Sequence, residues 1–252
     1  MRQKRRIEMA RFFMAGTNLL GGTAIIRGKD AEHIRVLRIR PGEEVIINDT
    51  QGTDYRCRMV SSTPEEAEVE VVEAVPCKGE PSVKVSVYCG LPKGSDRTDY
   101  IIQKSVESGA EEIVFFRSDR CVAKLENAEK KLARWNSISE AAAQQSGRGM
   151  IPKVRWLGTL AEVFDEAVKK DLALFMYETG ERESLSDVLK ENAEISSCAI
   201  ITGPEGGFAE FEAKLARICS LRVCSMGERI YRCETAPVVA ITAVMYETGN
   251  LS

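Results

Sequence analysis

Residues 199–244 decide the fold expected for the C-terminal half of the chain: AIITGPEGGFAEFEAKLARICSLRVCSMGERIYRCETAPVVAITAV. An apolar strand, AIIT, enters the glycine-rich segment 203–208, and a helix-forming segment, AEFEAKLARIC, follows it. A second short strand, RVCSMG, leads through the loop 226–236 into a last predicted helix over 234–249. This order is typical of α/β domains, in which ligands bind at loops that leave the carboxyl ends of the strands.

The same alternation extends back to Val83. The strands VKVSVYCGL, EIVFF and LALFMYE are interleaved with helices predicted over 95–109, 126–145, 159–170 and 184–193, the first of them capped by Ser95. Alternating strands and helices imply a largely parallel sheet that is covered on both faces. We therefore predict an α/β domain over residues 80–252.

Residues 9–79 have a different pattern. The segments EEVIIND, TDYRCRMVS and AEVEVVEAV alternate apolar and polar residues and are separated by turn-forming residues, which predicts a small all-β domain. The segment PCKGEPS, with two prolines and a glycine, places the boundary near residue 80. Residues 1–8 precede the MARFF segment and are interpreted as a basic N-terminal extension.

Positive charge is concentrated at the N-terminal end. Residues 1–40 contain ten Lys or Arg and three Asp or Glu, whereas the whole chain has a net charge of −3. Such asymmetry is typical of a surface that meets phosphates, although a solvated basic tail would give the same count.

Composition excludes several classes of protein. A hydrophobic fraction of 44% is enough for a buried core, and no apolar run is long enough for a transmembrane helix or a secretory signal. The eight cysteines include no CxxC pair, which favours free thiols in a reducing cytoplasm. Because His33 is the only histidine and lies near no nucleophile motif, a zinc site and a histidine-dependent hydrolase are not expected.

Three loops at predicted strand ends carry the candidate chemistry: 177–180, 203–208 and 226–236. The glycine loop lacks the lysine and hydroxyl of a phosphate-binding loop, so spacing alone leaves an ordinary turn as probable as a ligand loop. In the third loop, Thr235 as the N-cap and Pro237 in the first turn fit a helix start. That explanation leaves two arginines beside Glu234 unexplained, although a carboxylate at a helix N-terminus is also stabilising by itself.

The two C-terminal motifs, GPEGGF and MGERIYRCETAPVVAI, resemble those of the small-subunit ribosomal RNA methyltransferase E family, the uridine N3-methyltransferases of the SPOUT class. MARFF, HIRVLRIRPGEEVIINDTQG, PKGSDRTDYIIQKSVESGAEEI, RCVAK and RWNSISEAAAQQSGRGMIPKV are similar to other parts of that family. The resemblance covers nearly all of residues 9–250.

The resemblance implies a SPOUT domain with a C-terminal trefoil knot over 80–252, a PUA-like β-barrel that binds RNA over 9–79, and a homodimer. It implies that the cofactor is S-adenosylmethionine, that no metal is needed, and that the substrate is 16S rRNA, within the 30S subunit. The expected cofactor-binding residues are Tyr177, Gly203, Pro204, Glu205, Gly206, Gly207, Met226, Gly227, Ile230, Arg232, Thr235 and Ala236.

Alkylation of uridine N3 requires an unpaired base and loss of the N3 proton. With no usable histidine, we expect Arg232 or Arg11 at the uracil and Glu234 or a main-chain carbonyl as the proton acceptor. The expected RNA-binding residues are Arg11, Arg35, Arg38 and Arg148, and for Arg148 the alternative is a cation that only stabilises a helix C-terminus.

Two other functions remain open at the level of sequence. One is a SPOUT enzyme that acts on transfer RNA or on ribose. The other is a non-catalytic RNA-binding module without cofactor affinity.

Overall fold

The computed structural model describes residues 9–14, 19 and 22–251, which fall into two compact units. The first unit comprises residues up to Glu80 together with Ala143–Ile151, and the second comprises Pro81–Ala142 and the residues from Pro152 onward. The predicted extension over residues 1–8 lies outside the described residues. The first stretch of this unit ends at Glu80, within the PCKGEPS segment. The sequence pattern did not predict that residues 143–151 belong to the first unit.

The first unit is built on a five-stranded sheet with one helix. Its elements are β1 (Arg11–Phe13), β2 (Thr23–Arg27), α1 (Lys29–Val36), β3 (Glu44–Asn48), β4 (Thr53–Ser62) and β5 (Glu66–Pro76). The strand order is β1-β3-β4-β5-β2, with β1 parallel to β3 and the remaining pairs antiparallel. The three strands predicted within 43–75 are present as β3, β4 and β5.

Alternation places the apolar side chains of this sheet on one side. Ile26, Ile47 and Met59 pack there with Phe12 and with Ile34 of α1, and all five are fully buried. His33 lies on the same helix, and its ring is edge-on to that of Phe12, with 5.8 Å between the ring centroids.

The second unit contains a seven-stranded sheet. Its elements are β6 (Lys84–Gly90), α2 (Ser95–Glu107), β7 (Glu112–Phe116), α3 (Ala128–Ser146, whose last residues belong to the first unit), β8 (Lys153–Trp156), α4 (Leu160–Ala167), β9 (Leu172–Met176), β10 (Glu183–Ser184), α5 (Leu185–Glu191), β11 (Ser197–Thr202), α6 (Glu210–Ile218), β12 (Arg222–Ser225) and α7 (Ala236–Glu247).

All pairings in this sheet are parallel, and the strand order is β10-β12-β9-β11-β6-β7-β8. Helices α4 and α6 pack through Val163, Phe164, Ala213 and Ala216 onto one face, whereas α2, α5 and α7 pack against one another and against the strands. The predicted parallel sheet with helices on both faces is confirmed.

One local expectation needs correction. Ser95 is the first residue of α2 and not its cap, because Gly94, with φ +97°, takes the capping position. Of the apolar residues of α7, part of whose surface is predicted to pack against a second subunit, Ile241, Val244 and Met245 are fully buried within the chain. Only Val238 and Val239 of that set stay half-buried.

Candidate functional site

The three predicted loops meet at one edge of the parallel sheet. Loops 177–180, 203–208 and 226–236 leave the carboxyl ends of β9, β11 and β12, and β9 lies between the other two strands. Together they enclose a cavity of about 370 Å³. This is the size and position of small-molecule sites in open α/β sheets.

Close main-chain packing explains two of the loop's glycines and a third glycine beneath it. Gly207 has φ +63°, and a Cβ there would overlap the carboxylate of Glu178. A Cβ on Gly203 would lie 3.2 Å from the main chain of Gly207, and one on Gly90 at the end of β6 would overlap the ring of Pro204. The Gly207 N–H donates to the Pro204 carbonyl at 2.9 Å, which closes the turn. A side chain at Gly90 or Gly207 would therefore force the loop or its neighbours to shift.

Arg97, in the first turn of α2, joins two of the loops. Its guanidinium donates to the carboxylate of Glu205, and its Nε lies 3.7 Å from Glu234 Oε2. The Lys93 N–H also donates to Glu205, at 2.7 Å. Sequence reasoning missed Arg97 because the pairing of β6 with β11, which brings its loop to this edge, exists only in the folded chain.

The carboxyl group of Glu234 is held in its charged form. Burial acts to raise its pKa, but its own main-chain N–H, the Cys233 thiol at 3.2 Å, and the cations Arg97 and Arg232 outweigh burial, and the pKa is lowered. Burial and the neighbouring Glu234 raise the pKa of Cys233 to about 12, so this thiol stays protonated and donates. The pair therefore presents a carboxylate and not a thiolate nucleophile.

Most of the predicted site residues line the cavity. They are Tyr177, Gly203, Pro204, Glu205, Gly207, Met226, Gly227, Ile230, Arg232, Glu234 and Ala236. Gly206 and Thr235 are not among the lining residues. A Cβ on Gly206 would meet Arg120 instead, at 3.1 Å, and Thr235 occupies the N-cap position of α7 without a side-chain hydrogen bond.

Arg11, expected at the uracil, and Arg148, expected to bind RNA, lie in the first unit and are bound to carboxylates there. Arg11 donates two hydrogen bonds to Asp54, at 2.6 and 2.7 Å, and a third to the Arg148 carbonyl at 3.3 Å. Arg148 donates to both oxygens of Glu80, at 2.9 and 2.7 Å, and its side chain is 3% exposed. Neither arginine lines the cavity. Each has a carboxylate partner that is distant in sequence and that the sequence analysis did not predict.

Glu80 does more than neutralise Arg148. Its Oε1 also accepts the main-chain N–H groups of Gly149 and Met150, at 2.7 and 3.2 Å. Segment 143–151 is thereby fixed to the first unit by a charged network that is largely buried.

Arg35 and Arg38, also predicted to bind RNA, are exposed. Within the described part of the chain, no carboxylate lies within 4 Å of either guanidinium. Glu44 pairs instead with Arg56, at 3.1 Å. Val36 and Leu37 between them are exposed as well. This surface combines cations with apolar side chains.

The remaining observations concern cysteines, metal ligands and membrane-spanning helices. All eight cysteines are free. In the described ranges no group of three or more His, Cys, Asp or Glu side chains could hold a metal ion, and no helix there is long and apolar enough to cross a membrane.

Comparison with known proteins supplies the class. The family model of the RNA methyltransferase domain matches residues 79–245, and that of the RNA methyltransferase PUA domain matches residues 26–72. Ribosomal RNA small subunit methyltransferase E of Bacillus subtilis is 33% identical over 236 residues, which cover 91% of this chain and 92% of that protein. Its counterpart from Mycobacterium tuberculosis is 31% identical over 232 residues, which cover 89% and 86%.

Solved structures of methyltransferases are also similar to this chain. The ribosomal RNA small subunit methyltransferase E of Neisseria gonorrhoeae, crystallised with S-adenosyl methionine, has a TM-score of 0.83 and 31% identity over 94% of this chain and 97% of that one. A putative methyltransferase of Legionella pneumophila in complex with the same cofactor has a TM-score of 0.85 and 25% identity over 95% and 98%.

A parallel α/β domain with a three-loop pocket, preceded by a small β domain, is thus the architecture of an RNA methyltransferase with a PUA domain. Within this class, the chain belongs to the ribosomal RNA small subunit methyltransferase E family.

Proposed function

We propose that the chain transfers a methyl group from S-adenosylmethionine to ring nitrogen 3 of a uridine in 16S rRNA, within the 30S subunit. The observation that carries the proposal is the cavity at the carboxyl ends of β9, β11 and β12, built from glycine-dependent loops and lined by both carboxylates and arginines. Relatives that match most of the chain are named as small-subunit rRNA methyltransferases. Two similar solved structures, one of this name and one named a putative methyltransferase, hold the cofactor.

The residues present fit this cofactor. It carries a sulfonium cation, an amino-acid group with both charges, and an adenosine. The cavity offers the carboxylates of Glu178, Glu205 and Glu234, the guanidinium of Arg232, and an apolar wall that includes Met176 and Met226. Gly203 and Gly207 place the main chain of the glycine loop itself in the cavity lining, since neither residue has a side chain of its own.

When bound, the cofactor supplies an electrophilic methyl group, so the protein's task is to position the base and to manage its N3 proton. Arg232 is exposed at the cavity wall and stabilises the negative charge that develops on the uracil ring. Glu234, kept ionised, accepts the N3–H hydrogen bond and orients the base. It takes the N3 proton as the ring nitrogen is alkylated, because that proton then becomes strongly acidic and a carboxylate with a lowered pKa is a sufficient acceptor. Arg97 acts through Glu234 and Glu205 and is therefore a positioning residue.

Four further features belong to this proposal. The C-terminal trefoil knot is supported by the position of β12 between β9 and β10, which are consecutive along the chain. The PUA-like unit is proposed to form a β-barrel. The homodimer is supported by the exposed Tyr100 of α2 and Tyr246 of α7, two helices that pack side by side. A cytoplasmic location suits both the ribosomal substrate and the eight free thiols.

The test uses 30S particles from a strain that lacks this enzyme. The purified protein with S-adenosylmethionine is expected to methylate them, and mass spectrometry of the digested RNA is expected to find N3-methyluridine. Methylation of transfer RNA or of a ribose hydroxyl would assign a different methyltransferase activity. Absence of cofactor binding in calorimetry would leave only an RNA-binding module.

A further inference from the structure

The arginines of the second unit differ in whether they have a carboxylate partner. Of the ten, five have a carboxylate oxygen within 4 Å: Arg97, Arg134, Arg155, Arg182 and Arg222. The other five, for which the described residues offer no such partner, are Arg117, Arg120, Arg217, Arg229 and Arg232. Four of these five lie on two loops, after β7 and after β12, and only Arg217 lies elsewhere, on α6.

The strand order places these two loops symmetrically about the glycine loop. Along the sheet, β12 is two strands from β11 on one side, and β7 is two strands from β11 on the other. With neighbouring strands about 4.8 Å apart, the ends of β12 and β7 are roughly 19 Å apart, and the end of β11, from which the glycine loop leaves, lies midway between them. Cations on both sides of a pocket suit a chain-like polyanion that crosses it, whereas a single phosphate would need them to converge on one point.

The loop after β7 is held in place. The Cys121 thiol is buried and donates to the Leu91 carbonyl at 3.1 Å, and the Asp119 N–H donates at 2.9 Å to Glu212, which is 2% exposed. Arg120 also donates to the carbonyl of Gly206 in the glycine loop, at 3.3 Å. A loop fixed at these points loses little conformational entropy when it binds a ligand.

The outward side of this loop combines charge with an apolar group. Arg117 and Lys124 are exposed, and among the described residues neither has a carboxylate within 4 Å. Val122 between them is 81% exposed, although nothing in the fold requires an apolar residue to face solvent there. Nucleic-acid strands are bound by this combination, with cations on the phosphates and apolar surface against a base.

We propose that loop 117–124 is an RNA-binding element of the methyltransferase domain, which holds the substrate strand on the β7 side of the pocket. Arg117 and Lys124 contact phosphates, Val122 packs against a base, and Arg229 contacts the strand on the opposite side. Arg120 links this loop to the glycine loop. The inference rests on the proposed function and adds to it the course of the RNA strand across the edge of the sheet.

The test compares two double variants that remove the same charge. Arg117→Ala/Lys124→Ala alters the proposed element. Lys169→Ala/Lys190→Ala removes two exposed lysines from the opposite edge, where they precede β9 and β11 and where no carboxylate of the described residues lies within 4 Å of them. Binding of a 16S rRNA fragment is measured at several salt concentrations, S-adenosylmethionine affinity by calorimetry, and folding by circular dichroism.

For the Arg117/Lys124 variant, we expect RNA affinity to fall about tenfold and the log–log salt slope to shrink by about two. Cofactor affinity should not change, and the control pair should keep the RNA affinity of the unmodified protein. Val122→Asp should weaken RNA binding as well, because it places a carboxylate where the strand is proposed to lie.

The outcomes separate the two proposals. If the unmodified protein binds neither cofactor nor RNA, the proposed function is wrong. If it binds both, but the folded Arg117/Lys124 variant keeps the original salt slope, loop 117–124 does not contact RNA. Equal losses in the two double variants would also overturn the inference, because they would reflect only the overall charge.

Discussion

Arginines of the first unit and arginines around the pocket of the second unit differ in their burial and in their pairing with carboxylates. Arg11 and Arg148 are largely buried and are each hydrogen-bonded to a carboxylate, Asp54 and Glu80. Arg232 is exposed on the wall of a cavity and has no carboxylate within 4 Å among the described residues. A buried ion pair stabilises local structure only while both partners are present, whereas an exposed arginine without a partner keeps its charge available for a substrate.

The largest expected effect concerns the buried pair. Arg148→Ala leaves Glu80 partly buried without its cation, and breaking such a pair costs about 3–5 kcal/mol. Hydrogen exchange of amides within residues 44–76 should accelerate accordingly. Arg40→Ala, at an exposed arginine that has no ion pair with any described residue, serves as the control and should change stability by less than about 0.5 kcal/mol. Equal exchange in both variants would show that the Arg148 pair does not stabilise the first unit.

A comparable loss, but in turnover and not in stability, is expected at the pocket. Glu234→Gln should lower kcat by about 10²-fold or more while the protein stays folded, because the carboxylate that orients the base is lost. Single-turnover methylation of 30S particles measures the rate of the chemical step in both proteins.

The pH dependence sharpens this prediction. Because the pKa of Glu234 is lowered, its carboxyl group is ionised throughout the neutral range and loses its charge only below the ordinary pKa of a glutamate. We expect no inflection in kcat between about pH 6 and 9 from this group. Arg97→Ala removes one of the cations that lower the pKa and should move the acid limb upward. An acid limb near neutrality that disappears in Glu234→Gln would contradict the assignment.

A smaller effect is expected from the glycine loop. Gly207→Ala combines a left-handed backbone with an overlap of its Cβ with Glu178, so cofactor affinity should fall at least about tenfold. Gly249→Ala has a similar backbone, φ +73°, but open space around it, and it separates backbone strain from close packing. If both variants bind S-adenosylmethionine like the unmodified protein in calorimetry, the glycine loop is an ordinary turn.

The smallest effect compares exposed arginines with each other. Arg35→Ala/Arg38→Ala should reduce the salt slope of RNA binding by about two, with kcat at saturating RNA nearly unchanged. Arg27→Ala/Arg56→Ala removes arginines that already pair with Glu66, Glu44 and Glu73, and it should change the slope less. The reverse order, in folded proteins, would exclude α1 and the two residues after it as an RNA-binding surface.

Local pattern predicted much of this molecule. Alternating segments predicted β3, β4 and β5, and short apolar segments predicted β6, β7, β9, β11 and β12, whereas β1, β2, β8 and β10 were not predicted. Residues of GPEGGF and of loop 226–236 make up most of the cavity lining. The reason is physical: strand and helix periodicity, turn residues and glycine requirements are properties of short segments. A ligand loop that follows a strand can therefore be found without knowing which strands are neighbours.

Partners distant in sequence could not be predicted in this way. Only the folded chain brings Asp54 to Arg11, Glu80 to Arg148, and Arg97 to the loop that contains Glu205. An arginine that is buried and hydrogen-bonded to a carboxylate stabilises the fold, whereas an exposed arginine without such a partner can bind a substrate. The sequence determined the secondary structure, the pocket loops and the family, and the tertiary structure alone decided which cations remain available to act.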